Sequence, residues 1–174
     1  MRPFLHPRQW YAVALGVVVA LPCLGVRYYN DDYTHRQMLA EALPGTRPNP
    51  FNLYDFTHGP DHIRAMAATG GLPWWVPSSL HFRFFRPLGS ALVAFDHTVS
   101  PTSAVWPHVH GLLWLAALLI AAAGALRVLL PTRAAVAATL SYALATHHLS
   151  ATLWPSARPG LAAGTFGVAA LTAH

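Results

Sequence analysis

Residues 107–130 form an apolar run broken by a single charge, Arg127, close to its end. A bilayer core about 30 Å thick takes about 20 apolar residues in a helix rising about 1.5 Å each. The run is long enough to cross, and Arg127 can carry its charge to the interface on its aliphatic stem. Residues 10–26 form a second run without charge, between Arg8 and Arg27. A third covers residues 134–154. A fourth, residues 161–174, offers about 14 residues or about 21 Å and is read as an incomplete span. The expected fold class is therefore all-α: a polytopic membrane helix bundle with a long extracytoplasmic loop, residues 27–106, carrying short interfacial helices.

Composition agrees with this reading. Hydrophobic residues make up 54% and charged residues 10%, against about 25% charged in soluble domains. That excludes a disordered tail. The formal charge of +5 is too sparse for the phosphate-tracking stripe of a nucleic-acid binder, so no nucleic-acid partner is expected. All the basic residues are arginine. A GC-rich genome produces that bias without function, whereas arginine's planar fork of donors also suits phosphate. Cys23 is the lone cysteine, which excludes an intrachain disulfide and a thiolate metal cluster.

The arginines give an orientation. Arg2 and Arg8 precede the first run, and Arg127 and Arg133 bracket the turn at Pro131. By the positive-inside rule both groups are cytoplasmic, which leaves residues 27–106 and the loop around residues 150–160 outside. The first run is longer than a signal-peptide core of about 7–15 residues and lacks a small-x-small cleavage site. It is read as an uncleaved anchor, and Pro22 before Cys23 disfavours a lipoprotein signal.

Helix punctuation recurs in the outer loop. Asp31 or Asp32 is expected to cap a helix that runs to about Leu43 and stops at Pro44-Gly45. Asp61 is expected to cap another, ended by Gly70-Gly71. A third starts at Pro87, a favoured first helical position. It puts Leu88, Ala91, Leu92, Phe95 and Val99 on one face and His97 opposite, and such a helix lies flat on a membrane. Trp74, Trp75, Phe82, Phe84 and Phe85 add rings that favour the interface.

Four features carry candidate chemistry. Asp31 and Asp32 stand at the mouth of the first span, where paired carboxylates can supply a general base or simply a helix cap. Arg86 opens the helix at Pro87, where helix amides and a guanidinium together suit a phosphate; the alternative is an arginine reaching lipid headgroups. Arg158 lies on the translocated side, against the charge bias, and invites an anionic ligand. The histidine pairs His108/His110 and His147/His148 raise haem or metal ligation. On a helix, however, the first pair diverges by about 200° and the second by about 100°, which favours ordinary hydrogen bonding. No GxGxxG, P-loop, GxSxG or HExxH motif is present.

In order, the chain offers an anchor run, Asp31-Asp32, a long outer loop, Phe85-Arg86-Pro87-Leu88, a spacer with Asp96, and Trp106-Pro107-His108-Val109-His110. A histidine tract with His148 follows, then Trp154 and Arg158. This order resembles the GT-C membrane glycosyltransferases, above all the multi-spanning protein O-mannosyltransferases with tetratricopeptide repeats and their bacterial relatives. The resemblance covers about residues 10–171. It implies inverting transfer of a sugar from a polyprenyl-phosphate donor to an extracytoplasmic protein or glycan acceptor, at a bacterial cytoplasmic membrane. It also implies Asp31 as catalytic base, with Asp32 as its neighbour or the alternate base, and Arg86, Arg158 and His148 at the donor phosphate. A lipid-borne donor accounts for the missing nucleotide motif. No cofactor is implied; metal need differs among such transferases, so a divalent ion stays open.

Two other readings compete: a non-catalytic membrane protein or truncated remnant, and a histidine-ligated redox or transport protein. Members of the GT-C group have many more spans than three and a fraction, so a chain ending at residue 174 is expected to be inactive alone.

Overall fold

A computed structural model describes residues 4–40 and 49–174. Among these residues the fold is all-helical and strand-free, with one isolated bridge between Asp55 and Arg83. Helix α1 (Pro7–Ala20) continues as a 3₁₀ turn, Leu21–Gly25. The segment that follows holds α2 (Asp31–Leu39), α3 (Pro60–Ala68) and α4 (Pro87–Val99). Then follow α5 (Val105–Leu129), α6 (Thr132–Ala143), α7 (His147–Leu153), a 3₁₀ turn Pro155–Ala157, and α8 (Pro159–Ala173).

Pro7–Gly25 and Val105–Leu129 are long and apolar enough to cross a bilayer. Only 33% and 39% of their apolar windows are buried, so most of each helix faces away from the chain's own core. The first begins three residues before the expected run because Pro7 takes a first-turn position. There His6 Nδ1 accepts from the Arg8 amide at 3.2 Å, and Gln9 Oε1 accepts from the His6 amide at 3.1 Å.

The expected third span, residues 134–154, is instead two helices with a break after Ala143. The cause is local. The Tyr142 carbonyl accepts from the Ala145 amide at 3.2 Å and pairs with His148 Nε2 at 2.9 Å. It is thus diverted from the i+4 bond that would continue the helix. Helix α8 starts at Pro159, two residues before the expected fourth run, and its 15 residues reach about 22 Å.

Helices α1, α5, α6 and α8 share one core, built from Val13, Leu115, Leu119, Ala123, Ala143 and Leu161 among others. Gly16 lets α1 approach closely: a Cβ there would stand 2.9 Å from Leu119 Cδ1 and 3.0 Å from the Ala143 carbonyl oxygen. Inside this apolar packing Gln9 is fully buried. Its amide nitrogen donates to the Ala123 carbonyl at 2.9 Å and to Thr139 Oγ1 at 3.0 Å. Because an unmet buried amide costs several kcal/mol, this clasp fixes the rotation of three helices against one another.

The ends of the bundle are distinct. A Cβ on Gly124 would meet the Phe4 ring at 2.8 Å, so the start of α1 lies beside the end of α5. At the other end Tyr28 Oη donates to the Ser103 carbonyl at 2.8 Å. Helices α1 and α5 therefore run antiparallel. Arg8, Arg127 and Arg133 collect at one end, and the segment between α1 and α5 sits at the other.

Several local expectations shift. Asn30, not Asp31 or Asp32, precedes α2, with φ 47°. Helix α2 ends at Leu39; the expected stop near Leu43, Pro44 and Gly45 lies outside the described residues. Gly59, not Asp61, stands at the N-cap of α3. Asp61 is in the first turn and bonds Arg64 Nη1 at 2.6 Å in the open. The end of α3 by Gly70 is as expected, with φ 79°, a conformation that favours glycine. Helix α4 begins at Pro87 as expected.

Candidate functional site

Asp31 and Asp32 occupy the first turn of α2, so their side chains leave the helix about 100° apart. They meet opposite surroundings. Asp32 is 4% exposed. Its Oδ1 accepts from the Ser156 amide at 2.8 Å and from the Ser156 hydroxyl, and its Oδ2 accepts from the Tyr29 amide at 2.9 Å. Burial pushes the Asp32 carboxyl up, and the bonds from Ser156 and Tyr29 only partly offset this. Asp31 is half-buried. Burial and the neighbouring Asp32 charge raise its proton affinity, while the Arg86 guanidinium acts against them.

Ser156, Asp32 and His35 meet, but not as a nucleophile triad. The Ser156 hydroxyl donates to Asp32 and lies 3.0 Å from His35 Nδ1, from which it can accept. A triad needs the histidine between serine and carboxylate; here the serine stands between them. Ser156 is also 3% exposed. The cluster is a knot that holds the turn before α8 against α2. Tyr54 closes it: its hydroxyl donates to the Ser156 carbonyl at 2.6 Å, and its ring meets His35 edge-on at 4.6 Å.

Burial lowers the His35 pKa to about 4. Above about pH 6.5 the imidazole is neutral in both the folded and the unfolded chain. As pH falls from 6.5 towards 4, the unfolded chain takes the proton first, and stability is lost. The full loss is about 3 kcal/mol, reached once the folded pKa is passed. Denaturant unfolding between pH 7 and 4 should therefore show a steeper loss for the native chain than for a His35→Gln variant.

A second buried network lies behind the knot. Asp96 Oδ2 is 2.5 Å from Arg158 Nη2, and Oδ1 is 2.6 Å from His110 Nδ1. The Arg158 contact is an ion pair of close charges rather than an aligned hydrogen bond. Arg158 Nη1 donates to the Pro107 carbonyl at 3.3 Å, and Trp114 Nε1 donates to His110 Nε2 at 3.1 Å. Arg158 is 0% exposed. It lines a small cavity with Tyr28, Arg36, Asp96 and His97.

The candidate residues thus separate. Asp31 and Arg86 act on each other electrostatically near the surface of the protein. Arg86 is exposed, with its guanidinium 4.8 Å from the Phe84 ring centre and 5.2 Å from that of Tyr54. It lines an open groove together with Leu88, Gly89, Pro159, Ala162 and Ala163 among others. The groove is narrow at Gly89, where a Cβ would stand 2.6 Å from Pro159 Cγ. Asp32 and Arg158 are instead interior residues. His148 is buried as well; its imidazole bridges the α6–α7 break and lies 3.8 Å from the His147 ring. His108 Nδ1 pairs with the Thr152 carbonyl at 3.0 Å, while His110 turns to Asp96. No cluster of three or more His, Cys, Asp or Glu placed to hold a metal occurs among the described residues.

His35, Tyr54 and Ser156 carry no motif and were not among the sequence candidates. Asp96 entered only as a spacer, although it is the last acid in the chain. A buried arginine downstream has no other carboxylate on its own side of the sequence.

The fold and site define a helical chain with two bilayer-length helices and a polar knot at one end. Compared with protein-family models, with curated proteins and with solved structures, the chain matches none.

Proposed function

We propose that this chain is a membrane glycosyltransferase unit of the GT-C kind, which moves a sugar from a polyprenyl-phosphate donor to an acceptor hydroxyl outside the cytoplasm. The observation that carries the reading is Asp31: a half-buried carboxylate of raised proton affinity, within the field of exposed Arg86. Groups with perturbed proton affinity beside a charge partner at a cleft are candidates for acid–base work. The adjoining groove suits a lipid phosphate, since it presents one cation at an otherwise apolar wall.

In this reading the acceptor hydroxyl oxygen attacks the anomeric carbon, and its proton passes to Asp31. The bond from carbon to the phosphate oxygen breaks, and the electron pair leaves on the polyprenyl phosphate. Arg86 stabilises that charge, and a leaving phosphate needs no protonated acid. Asp32 and Arg158 act as positioning residues, because Asp32 holds Ser156 and Arg158 ties α8 to α4 through Asp96. His148 supports the α6–α7 break rather than the phosphate.

The arginines support an orientation with the N-terminus cytoplasmic. Arg8, Arg127 and Arg133 share one end of the bundle, as the positive-inside rule requires, and Asp31 and Arg86 share the other. A bacterial cytoplasmic membrane is the compartment this reading takes.

The test is donor binding by the chain reconstituted in phospholipid vesicles. A polyprenyl-phosphate-linked hexose is expected to bind more tightly than the matching polyprenol. A charge-assisted hydrogen bond contributes about 1.5–3 kcal/mol, so Arg86→Ala should weaken donor binding by roughly ten- to a hundredfold. Equal binding of the phosphate and the alcohol, or an unchanged Arg86→Ala affinity, would sink the reading and leave a non-catalytic membrane protein.

A further inference from the structure

The small cavity beside Arg158 gathers polar atoms from three elements. Arg36 reaches its wall from α2, His97 from α4, and Arg158 from the residue that opens α8. Arg36 Nη1, His97 Nδ1 and Arg158 Nε are each buried with no hydrogen-bond partner. Arg158 is fully buried as a residue, while Arg36 and His97 are half-buried. The Arg36 guanidinium lies 4.2 Å from the Tyr28 ring centre. Among the described residues no carboxylate pairs with it. Two of the three atoms belong to guanidinium groups, which only donate, and the imidazole nitrogen donates in its Nδ1–H tautomer. A buried donor left unmet gives up its hydration for nothing. Three on one wall call for a shared acceptor.

The wall's own acceptors are engaged. Asp32 takes its bonds from Ser156 and Tyr29, and Asp96 faces His110 and Arg158 Nη2. The Pro155 carbonyl accepts from the Arg158 amide at 3.1 Å, and the Pro107 carbonyl from Arg158 Nη1 at 3.3 Å. A water bound here would accept from the donors but would have to aim its own hydrogens at these engaged oxygens. An anion needs donors alone. Size narrows the choice. The cavity holds about 20 Å³, and a single water takes roughly 10–15 Å³. That suits one monatomic ion and excludes a tetrahedral phosphate. Arg86, the cation assigned to the donor, lines the other groove.

We propose that this cavity binds a single chloride-sized monovalent anion, which accepts from Arg36, His97 and Arg158. The ion joins α2, α4 and the start of α8, and so fastens the helix that carries Asp31. The site is independent of any transfer chemistry.

The native chain in detergent micelles tests it, with chloride compared against gluconate at equal sodium concentration. Chloride should raise the melting temperature saturably, by about 5–10 °C at a hundredfold excess over Kd. The chloride-35 resonance should broaden beyond that of the micelles alone. Bromide should remove the excess width, and sulfate, too large for the cavity, should leave it. Arg36→Gln should weaken chloride binding roughly ten- to a hundredfold, the effect of losing a bond between charged groups. Arg64→Gln, on the exposed face of α3, should bind as the native chain does. If Arg36→Gln folds poorly, His97→Leu replaces it and should also weaken binding. Equal melting in chloride and gluconate would overturn the proposal. So would displacement by sulfate, or chloride binding that neither cavity variant weakens.

Discussion

Asp96→Ala is expected to lower folding stability by about 3–5 kcal/mol, the usual effect of removing one partner from a buried ion pair. The size follows from what remains. Arg158 is fully buried, and its Nη2 would lose the carboxylate at 2.5 Å. His110 would lose its partner at 2.6 Å. An unpaired buried guanidinium cannot shed its proton, so the charge must be solvated by opening the structure. Replacing both charges by apolar groups should recover most of the loss, because the desolvation penalty disappears with them. Thermal unfolding in detergent micelles provides the check: Asp96→Ala far below the native chain, and Asp96→Leu with Arg158→Met well above Asp96→Ala. A single variant as stable as the native chain would show that the pair holds nothing together.

The second large effect falls on Asp31. If Asp31 is the base, Asp31→Asn in a transfer-competent enzyme that carries this chain should reduce sugar transfer by about 10²–10⁴-fold while leaving the melting temperature nearly unchanged, since its carboxylate is only half-buried. Asp32→Asn should do the reverse in kind. It puts an amide where three hydrogen bonds now converge on a carboxylate, so stability falls first and transfer follows it. The two adjacent acids can thus be told apart by plotting transfer against melting temperature. Transfer undiminished in Asp31→Asn would remove the base from the proposed mechanism.

Periodicity made the long helices legible. The runs at 10–26 and 107–130 have the length and uniform apolarity that a helix crossing hydrocarbon needs, and α1 and α5 follow them closely. The break in the third run could not be read this way. It depends on His148 reaching back to the Tyr142 carbonyl, an interaction between side chain and backbone that hydropathy does not encode. The apolar stripe of α4 was legible as a stripe, and Leu88, Phe95 and Val99 of it point outward. Local punctuation was less secure, since Gly59 stands where Asp61 was expected to cap.

The candidate site was legible in its charges and not in its connections. Asp31, Asp32, Arg86 and Arg158 were singled out because charge is scarce in this chain, and all four lie at the end of the bundle away from Arg8 and Arg127. Sequence could not say that Asp32 and Arg158 turn inward while Asp31 and Arg86 stay out. That division depends on Ser156, Tyr54 and Asp96, which are partners only through the tertiary fold. Scarcity would have paired Arg158 with Asp96, because Asp61 is the next acid upstream.

The knot between Asp32 and Ser156 joins residues 124 positions apart. Ribosomes add about 5–20 residues per second. Asp32 therefore leaves the ribosome about 6–25 s before the serine that holds it. During that interval the segment between α1 and α5 already exists without the turn that fastens it. The geometry around Asp31 is thus a late product of biogenesis, completed only as α8 enters the bundle, and chains interrupted before Ser156 would expose the same carboxylates without their order.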